Sequence, residues 1–197
     1  MPVPLGRILQ AYLLDIPATL DVVYTPDWAA MEIVNHFKPS GSILEPAKGE
    51  GAFLRYMPTA EWCELSEGKD FFQWHKHVDW IVGNPPYSIF SQFIRHSFTI
   101  ADNIVYLIPI NKAFNSFSLL KDIHKWGGIK EIYVVGTGSQ LRFPVGYAVG
   151  AVHFCRAYWG PTSITHRSAP TPVVADRRSS ASRKSKLTTV TAVGGGG

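Results

Sequence analysis

The sequence predicts an α/β domain built on a doubly wound, mostly parallel sheet. Three observations carry that expectation. Short apolar runs alternate with stretches of helical spacing along most of the chain. The first such run leads into a glycine-containing loop, Glu45-Pro46-Ala47-Lys48-Gly49-Glu50-Gly51. A later run, residues 79–83, is stopped by Asn84-Pro85-Pro86-Tyr87. Neither proline has an N–H for a neighbouring strand, so Asn84 must sit at a strand's carboxyl end, where open α/β sheets place ligand crevices.

Each element follows in order. Residues 5–14 have the spacing of a first helix, and Pro26 opens a second that runs to about Phe37 and stops at Pro39-Ser40-Gly41. A strand over 42–45 precedes a short helix at about 50–56, and a second strand spans about 61–65. Only a few residues then separate Glu64 from Asp70, too few for the usual crossover helix and further strand, so the sheet should be reduced at that edge. The strand over 79–83 is followed by a helix over 88–100, a strand over 103–109, a helix over 113–125 and a strand over 129–135. Residues 147–158 alternate imperfectly and read as a last, antiparallel strand. No internal repeat is present.

The chemistry concentrates in two places. Pro85 and Pro86 are rigid, so the Asn84 amide and the Pro85 carbonyl are held in fixed directions, and Tyr87 adds an aromatic face. Two fixed acceptors and a ring suit a planar group bearing an NH2. The plainer alternative is a turn followed by a hydrophobic plug. Upstream, Gly49 and Gly51 allow a sharp turn and close approach of a ligand. Glu64, at the end of the second strand, stands where an acidic residue accepts from ribose hydroxyls. Asp70 and Phe71 suit the edge and face of an adenine.

On these residues the sequence resembles the S-adenosylmethionine-dependent methyltransferases that act on the N6 of adenine in DNA. Glu45-Pro46-Ala47-Lys48-Gly49-Glu50-Gly51 fits the family's first motif, and Asn84-Pro85-Pro86-Tyr87 fits its catalytic motif. Tyr24-Thr25-Pro26 resembles its additional cofactor element before a helix. Cofactor motifs precede the catalytic motif, as in small phage-type members, and the resemblance covers roughly residues 22–160. It implies a Rossmann-like class I methyltransferase fold with seven strands, the last antiparallel; the short stretch after Glu64 lowers the expectation here to six or seven.

The resemblance further implies S-adenosylmethionine as cofactor, held by Thr25, Pro26, Glu45, Pro46, Ala47, Gly49, Gly51, Glu64, Asp70, Phe71 and Asn84. Asn84, Pro85, Pro86 and Tyr87 form the catalytic clamp, with the target base flipped onto Tyr87. Lys48 and Glu50 occupy variable motif positions and are expected to be solvated. Phe114 and Phe143 are candidates for a second wall of the base pocket, with core packing as the alternative. His75, His77 and His124 lack the Cys or carboxylate pattern of a metal site, and no metal is expected.

Composition bounds the rest. At 197 residues with 46% hydrophobic and 13% aromatic content, the chain is long enough for one well-packed domain. No run of about 20 apolar residues is present, so no membrane helix is expected, and the start lacks the pattern of a secretion signal. Cys63 and Cys155, without metal spacing, read as buried free thiols in a reducing, cytoplasmic setting.

The net charge of +4 is uneven. Residues 161–197 carry six Arg or Lys against one Asp, a net of +5, whereas the first 160 carry 13 basic and 14 acidic side chains, a net of −1. The expected organisation is an N-terminal helical extension over 1–21, a catalytic domain over 22–160 and a disordered basic tail over 161–197. DNA is the expected partner. Between Val105 and Gly160 there is no room for a separate target-recognition domain, and the tail is not domain-like, so a very short site, low selectivity or a protein partner is expected.

Two alternatives stay open. Asn-Pro-Pro-Tyr also serves release-factor glutamine and ribosomal RNA base methyltransferases, because a glutamine amide and a base amine present similar NH2 geometry. A non-catalytic module retaining the fold is the other.

Overall fold

The computed structural model describes residues 23–143 and 146–167. The expected first helix and extension over 1–21, and the tail from residue 168 onward, lie outside them.

Helix α1, Asp27–Phe37, starts after Pro26, whose missing N–H is no loss at a helix start, and carries Asp27 at its positive end. It buries Ala29, Ala30, Ile33 and Val34 on one face and ends at Lys38 in the left-handed conformation, ahead of Pro39. Strand β1 is Ile43–Glu45, fully buried, and β2 is only Glu61–Trp62. Strand β3, Val78–Gly83, leads to α2, Phe90–Ile100, whose buried Phe90, Phe93, Ile94 and Phe98 keep helical spacing. Strand β4, Ala101–Pro109, is apolar throughout its second half because both faces are covered; Ile104 to Ile108 are all 0% exposed. Helix α3, Phe117–Trp126, is capped by Ser116, whose hydroxyl accepts from the Leu119 amide. Strand β5, Gly127–Thr137, runs into a single turn, α4, Gly138–Leu141, closed by a Thr137–Gln140 capping box. Strands β6, Ala148–Arg156, and β7, Ser163–His166, follow.

The seven strands form one sheet in the order β2-β1-β3-β4-β6-β5-β7. All neighbouring pairs are parallel except those of β6, which runs antiparallel to both β4 and β5. From β1 the chain moves outward to β2; from β3 it moves the other way to β4. The carboxyl ends of β1 and β3 therefore flank the point where strand order reverses, the crevice position in open α/β sheets.

Three expectations are corrected. The helix at 50–56 is a succession of turns, with Tyr56 N–H donating to Phe53 O (3.0 Å) and Met57 N–H to Phe53 O (3.1 Å). Gly49 (φ +52°) and Gly51 (φ +73°) at its start and Pro58 after its end leave too few residues for a helical ladder. The second strand stops at Trp62, because Glu64 leaves the ladder for a bridge to Lys69 around Gly68 (φ +76°). Finally, the antiparallel strand expected to be last, β6, is followed past Gly160 by β7, which runs parallel to β5 where a disordered tail was expected. All four of its residues are exposed, so no burial pattern marks it in the sequence; the β5 ladder holds it.

Helix α1 is tied to that edge by side chains. His36 stacks on Tyr133 (4.0 Å, 15°) and bonds Glu131 at 2.8 Å, while Tyr133 O–H donates to Glu32. Arg167 pairs with Glu32 at 2.8 Å and lies 4.4 Å over the Trp28 ring. These contacts fix the helix and, with it, the residues 23–26 that enter the site.

Candidate active site

Asn84 follows β3 and carries an amide with two different fates. Its Nδ2 donates to the Val23 carbonyl at 2.8 Å. Only an NH2 can satisfy a carbonyl there, so Oδ1 faces the other way. That Oδ1 is buried and has no hydrogen-bond partner among the described residues. A buried acceptor left unpaired is unfavourable by about 1–3 kcal/mol, which marks it as a place for a donor from outside the chain. Pro85 is buried, Pro86 half-buried and Tyr87 9% exposed. The Tyr87 ring meets Phe143, itself buried, at 6.0 Å and 60°. Phe114 is 45% exposed and belongs to no core.

Glu45 ends β1 beside Asn84, 1% exposed, and its Oε2 is likewise buried without a partner. Burial pushes its carboxyl up to about 8, against the pull of the Lys48 ammonium and the Leu54 amide. The two loops pack closely because β3 ends in glycine: a Cβ at Gly83 would lie 2.9 Å from Pro46 Cδ and 3.6 Å from Glu45 Cγ.

One pocket gathers Val23, Tyr24, Thr25, Glu45, Ala47, Gly49, Arg55 and Asn84. The Thr-Pro element, the glycine loop and the Asn-Pro-Pro-Tyr loop thus meet. Pro26 is half-buried at the head of α1, Pro46 is buried under the loop, and Gly51 closes its turn by donating to Lys48 O at 2.8 Å. Arg55 and Tyr56 bind the two oxygens of Asp27 at 2.7 and 2.6 Å, lashing the turns to the first turn of α1.

Glu64, Asp70 and Phe71 do not line this pocket. Glu64 accepts from Gly49 N–H (2.9 Å), Ser66 N–H (3.2 Å) and Ser66 O–H (2.8 Å). Burial works to raise its carboxyl, but these bonds and Lys48 hold it below the usual range. It shapes the glycine loop from behind. Asp70 caps the next turn by accepting from Phe72 N–H at 3.0 Å, and it borders a second depression with Trp62, Cys63, Lys69 and Trp74. Phe71 is buried and stacks on Phe93 (4.8 Å, 25°), so it offers no open face.

Other expectations change. Lys48 is not simply solvated: it pairs with Glu67 and lies 4.0 Å over the Trp62 ring. Cys63 is buried, but Cys155 is only half-buried, near the end of β6. Among the described residues no three His, Cys, Asp or Glu side chains gather as metal ligands, and no helix is long and apolar enough to cross a membrane.

Two parts of the site escaped the sequence. Val23 acts through its backbone carbonyl, which no side chain announces. Gly83 was legible in principle, as a glycine directly before Asn-Pro-Pro.

The residues fit S-adenosylmethionine. Two buried oxygens without partners among the described residues, the Asn84 acceptor and one on a carboxyl that ionises readily only beside a cation, suit a ligand that brings donors and positive charge. Gly49 and Gly51, both at positive φ, leave the loop backbone open to close approach.

No protein-family model and no curated protein matches the chain. Solved structures do. A protein assigned as the modification subunit of a type I restriction enzyme from Vibrio vulnificus superposes with a TM-score of 0.57 at 16% identity, over 85% of this chain and 51% of its own. One assigned as a class I S-adenosylmethionine-dependent methyltransferase from Listeria monocytogenes has a TM-score of 0.57 at 14% identity, over 83% and 72%. One assigned as an RNA methyltransferase from Pyrococcus horikoshii has a TM-score of 0.52 at 11% identity, over 81% of this chain and 100% of its own. The chain spans about half the length of the restriction-enzyme subunit. At these identities the likeness concerns the fold, and together with the strand order it identifies a Rossmann-like class I methyltransferase fold.

Proposed function

We propose that the chain transfers a methyl group from S-adenosylmethionine to the exocyclic N6 amine of adenine in DNA. The observation that carries this reading is the Asn84 amide: Nδ2 is tied down on Val23 O, and Oδ1 is buried, unpaired and aimed away.

The amine of adenine is a poor nucleophile because its lone pair is delocalised into the ring. Asn84 Oδ1 and the Pro85 carbonyl accept its two hydrogens and favour the pyramidal geometry that frees the lone pair. Tyr87, braced by Phe143, supports the flipped base. Glu45, Thr25 and the backbone of Gly49 would hold the cofactor, and most of the rate would come from positioning. When bound, the cofactor would supply a methyl group on a sulfonium that leaves as a neutral thioether, and the methylated amine, now cationic and acidic, would release its surplus proton to water without a strong base. Glu64 serves by holding Gly49 in place. Recognition of a target is short, or is supplied by a partner protein; the Vibrio vulnificus neighbour is assigned as one subunit of a larger enzyme.

A second reading is favoured by one observation: the Pyrococcus horikoshii neighbour assigned to RNA aligns over its whole length. Radiolabelled methyl transfer to DNA, RNA and protein in parallel separates the two. The expected product is N6-methyladenine in DNA, abolished by Asn84→Ala with cofactor binding retained. Near-normal turnover of that variant sinks the mechanism, and cofactor binding without any methylated product favours a non-catalytic module.

A further inference from the structure

Two loops beyond the catalytic clamp carry the same pair of features. The turn after β4, Ile110–Ala113, presents Lys112 and then Phe114, 45% exposed. The connection between β5 and β6 presents Arg142 and then Tyr147, 63% exposed. The loops are neighbours, because Pro109 at the end of β4 pairs with Val149 at the start of β6. Ile110 Cδ1 would lie only 3.1 Å from a Cβ at Gly150. They share the sheet's carboxyl rim with Asn84, and Phe143, one residue from Arg142, touches Tyr87.

The charges at this rim are sorted. Lys48 and Arg55, by the glycine loop, are taken by Glu67 and Asp27. Lys112 and Arg142 make no side-chain hydrogen bond or ion pair among the described residues. Phe114 and Tyr147 pack against no other ring there. Cations and exposed rings on two adjacent loops offer nucleotides phosphate partners and stacking platforms. Two free cations at this rim, among the described residues, suit a strand better than a duplex, which takes about 6–10 phosphate contacts in a typical case.

Resting on the adenine reading above, we propose that the substrate is presented as single-stranded DNA. Nucleotides flanking the target stack on Phe114 and Tyr147 while Lys112 and Arg142 hold their phosphates. An unpaired adenine then enters the Asn84 clamp without first being pulled from a duplex, a step that costs energy.

The test uses the full chain, a fluorescein-labelled mixed-sequence DNA strand, the same strand annealed to its complement, and a single-stranded RNA of that sequence. Anisotropy should show the DNA strand bound at least about 10-fold tighter than the duplex. Phe114→Ala and Tyr147→Ala should each weaken strand binding about 5- to 100-fold, raising KM for DNA more than they lower kcat, with Tm and cofactor affinity unchanged. The Lys112→Ala/Arg142→Ala double variant should flatten the salt dependence by a slope of about 1.4, two phosphates' worth. Equal or tighter duplex binding, or wild-type strand binding by both aromatic variants, overturns the proposal, and tighter RNA binding overturns the assignment to DNA. Strand binding as expected but no methyl transfer to any DNA would overturn the functional reading instead.

Discussion

Gly83 and Pro46 sit so close that a Cβ on the glycine would stand 2.9 Å from the proline Cδ. This contact joins the two halves of the site, since Pro46 follows Glu45 and Gly83 precedes Asn84. Gly83→Ala should therefore push the glycine loop and the Asn-Pro-Pro-Tyr loop apart. The expected cost is about 1–3 kcal/mol of stability, in the range for an overpacked core position, together with weaker cofactor binding. Thermal unfolding and titration calorimetry check both, and an unchanged Kd would show that the loops do not need this closeness.

Asn84→Asp separates two roles of the amide. The variant keeps an acceptor but loses the donor to Val23 O, leaving two oxygens face to face at 2.8 Å. Loss of that orienting bond should lower kcat about 10- to 100-fold, with cofactor Kd changed by no more than about threefold. A wild-type kcat would mean that Val23 does not hold the side chain for catalysis.

Glu45 makes a pH prediction with a definite sign. Its carboxyl titrates near 8 in the folded chain instead of the usual 4.5. Between those values the folded state keeps a proton that the unfolded state has lost, so stability falls as pH rises through that window. Glu45→Gln removes the buried charge. It should raise Tm at pH 8.5, by about 2–4 °C per kcal/mol relieved, and the gain should shrink toward pH 5. A cationic cofactor binds the ionised form better, so wild-type affinity should climb with pH up to about 8 and the variant's should stay flat. Calorimetric titration across that range reads the difference.

Glu64 has the opposite sign. Its carboxyl lies below the ordinary range because it accepts from Gly49 and Ser66, so its contribution is present above the unfolded value and is lost as pH falls through the folded one. Glu64→Ala should cost about 1 kcal/mol at pH 7, as for a lost cap, and the gap should close in acid. Urea unfolding at both pH values tests this; a gap that persists in acid contradicts it.

The edge strand predicts different behaviour for two truncations. A chain ending at Gly160 loses β7 and the Arg167 contacts to Glu32 and Trp28, and should melt below one ending at Arg167. If the basic segment beyond Arg167 engages phosphate, the full chain should show a steeper salt dependence of DNA binding than the chain ending at Arg167. Equal slopes would remove the segment from DNA binding.

The sequence by itself determined the fold class, the order of the strands from β1 to β6 with the helices after Pro26, β3 and β4, and the meeting place of Glu45 and Asn84. Those features rest on local physics: apolar runs of strand or helix length, prolines that end a strand, and glycines that open a loop. Tertiary structure alone decided the rest. Glu64 and Phe71 carry the right chemistry for a cofactor, but one carboxylate is already bonded to Gly49 and Ser66 and one ring is stacked in the core on Phe93. β7 has no buried face to show a pattern and exists because β5 has a free edge. The orientation of the Asn84 amide comes from a carbonyl 61 residues away. Residue type and spacing say what a side chain is able to bond; only the packed chain settles which of its bonds are already taken.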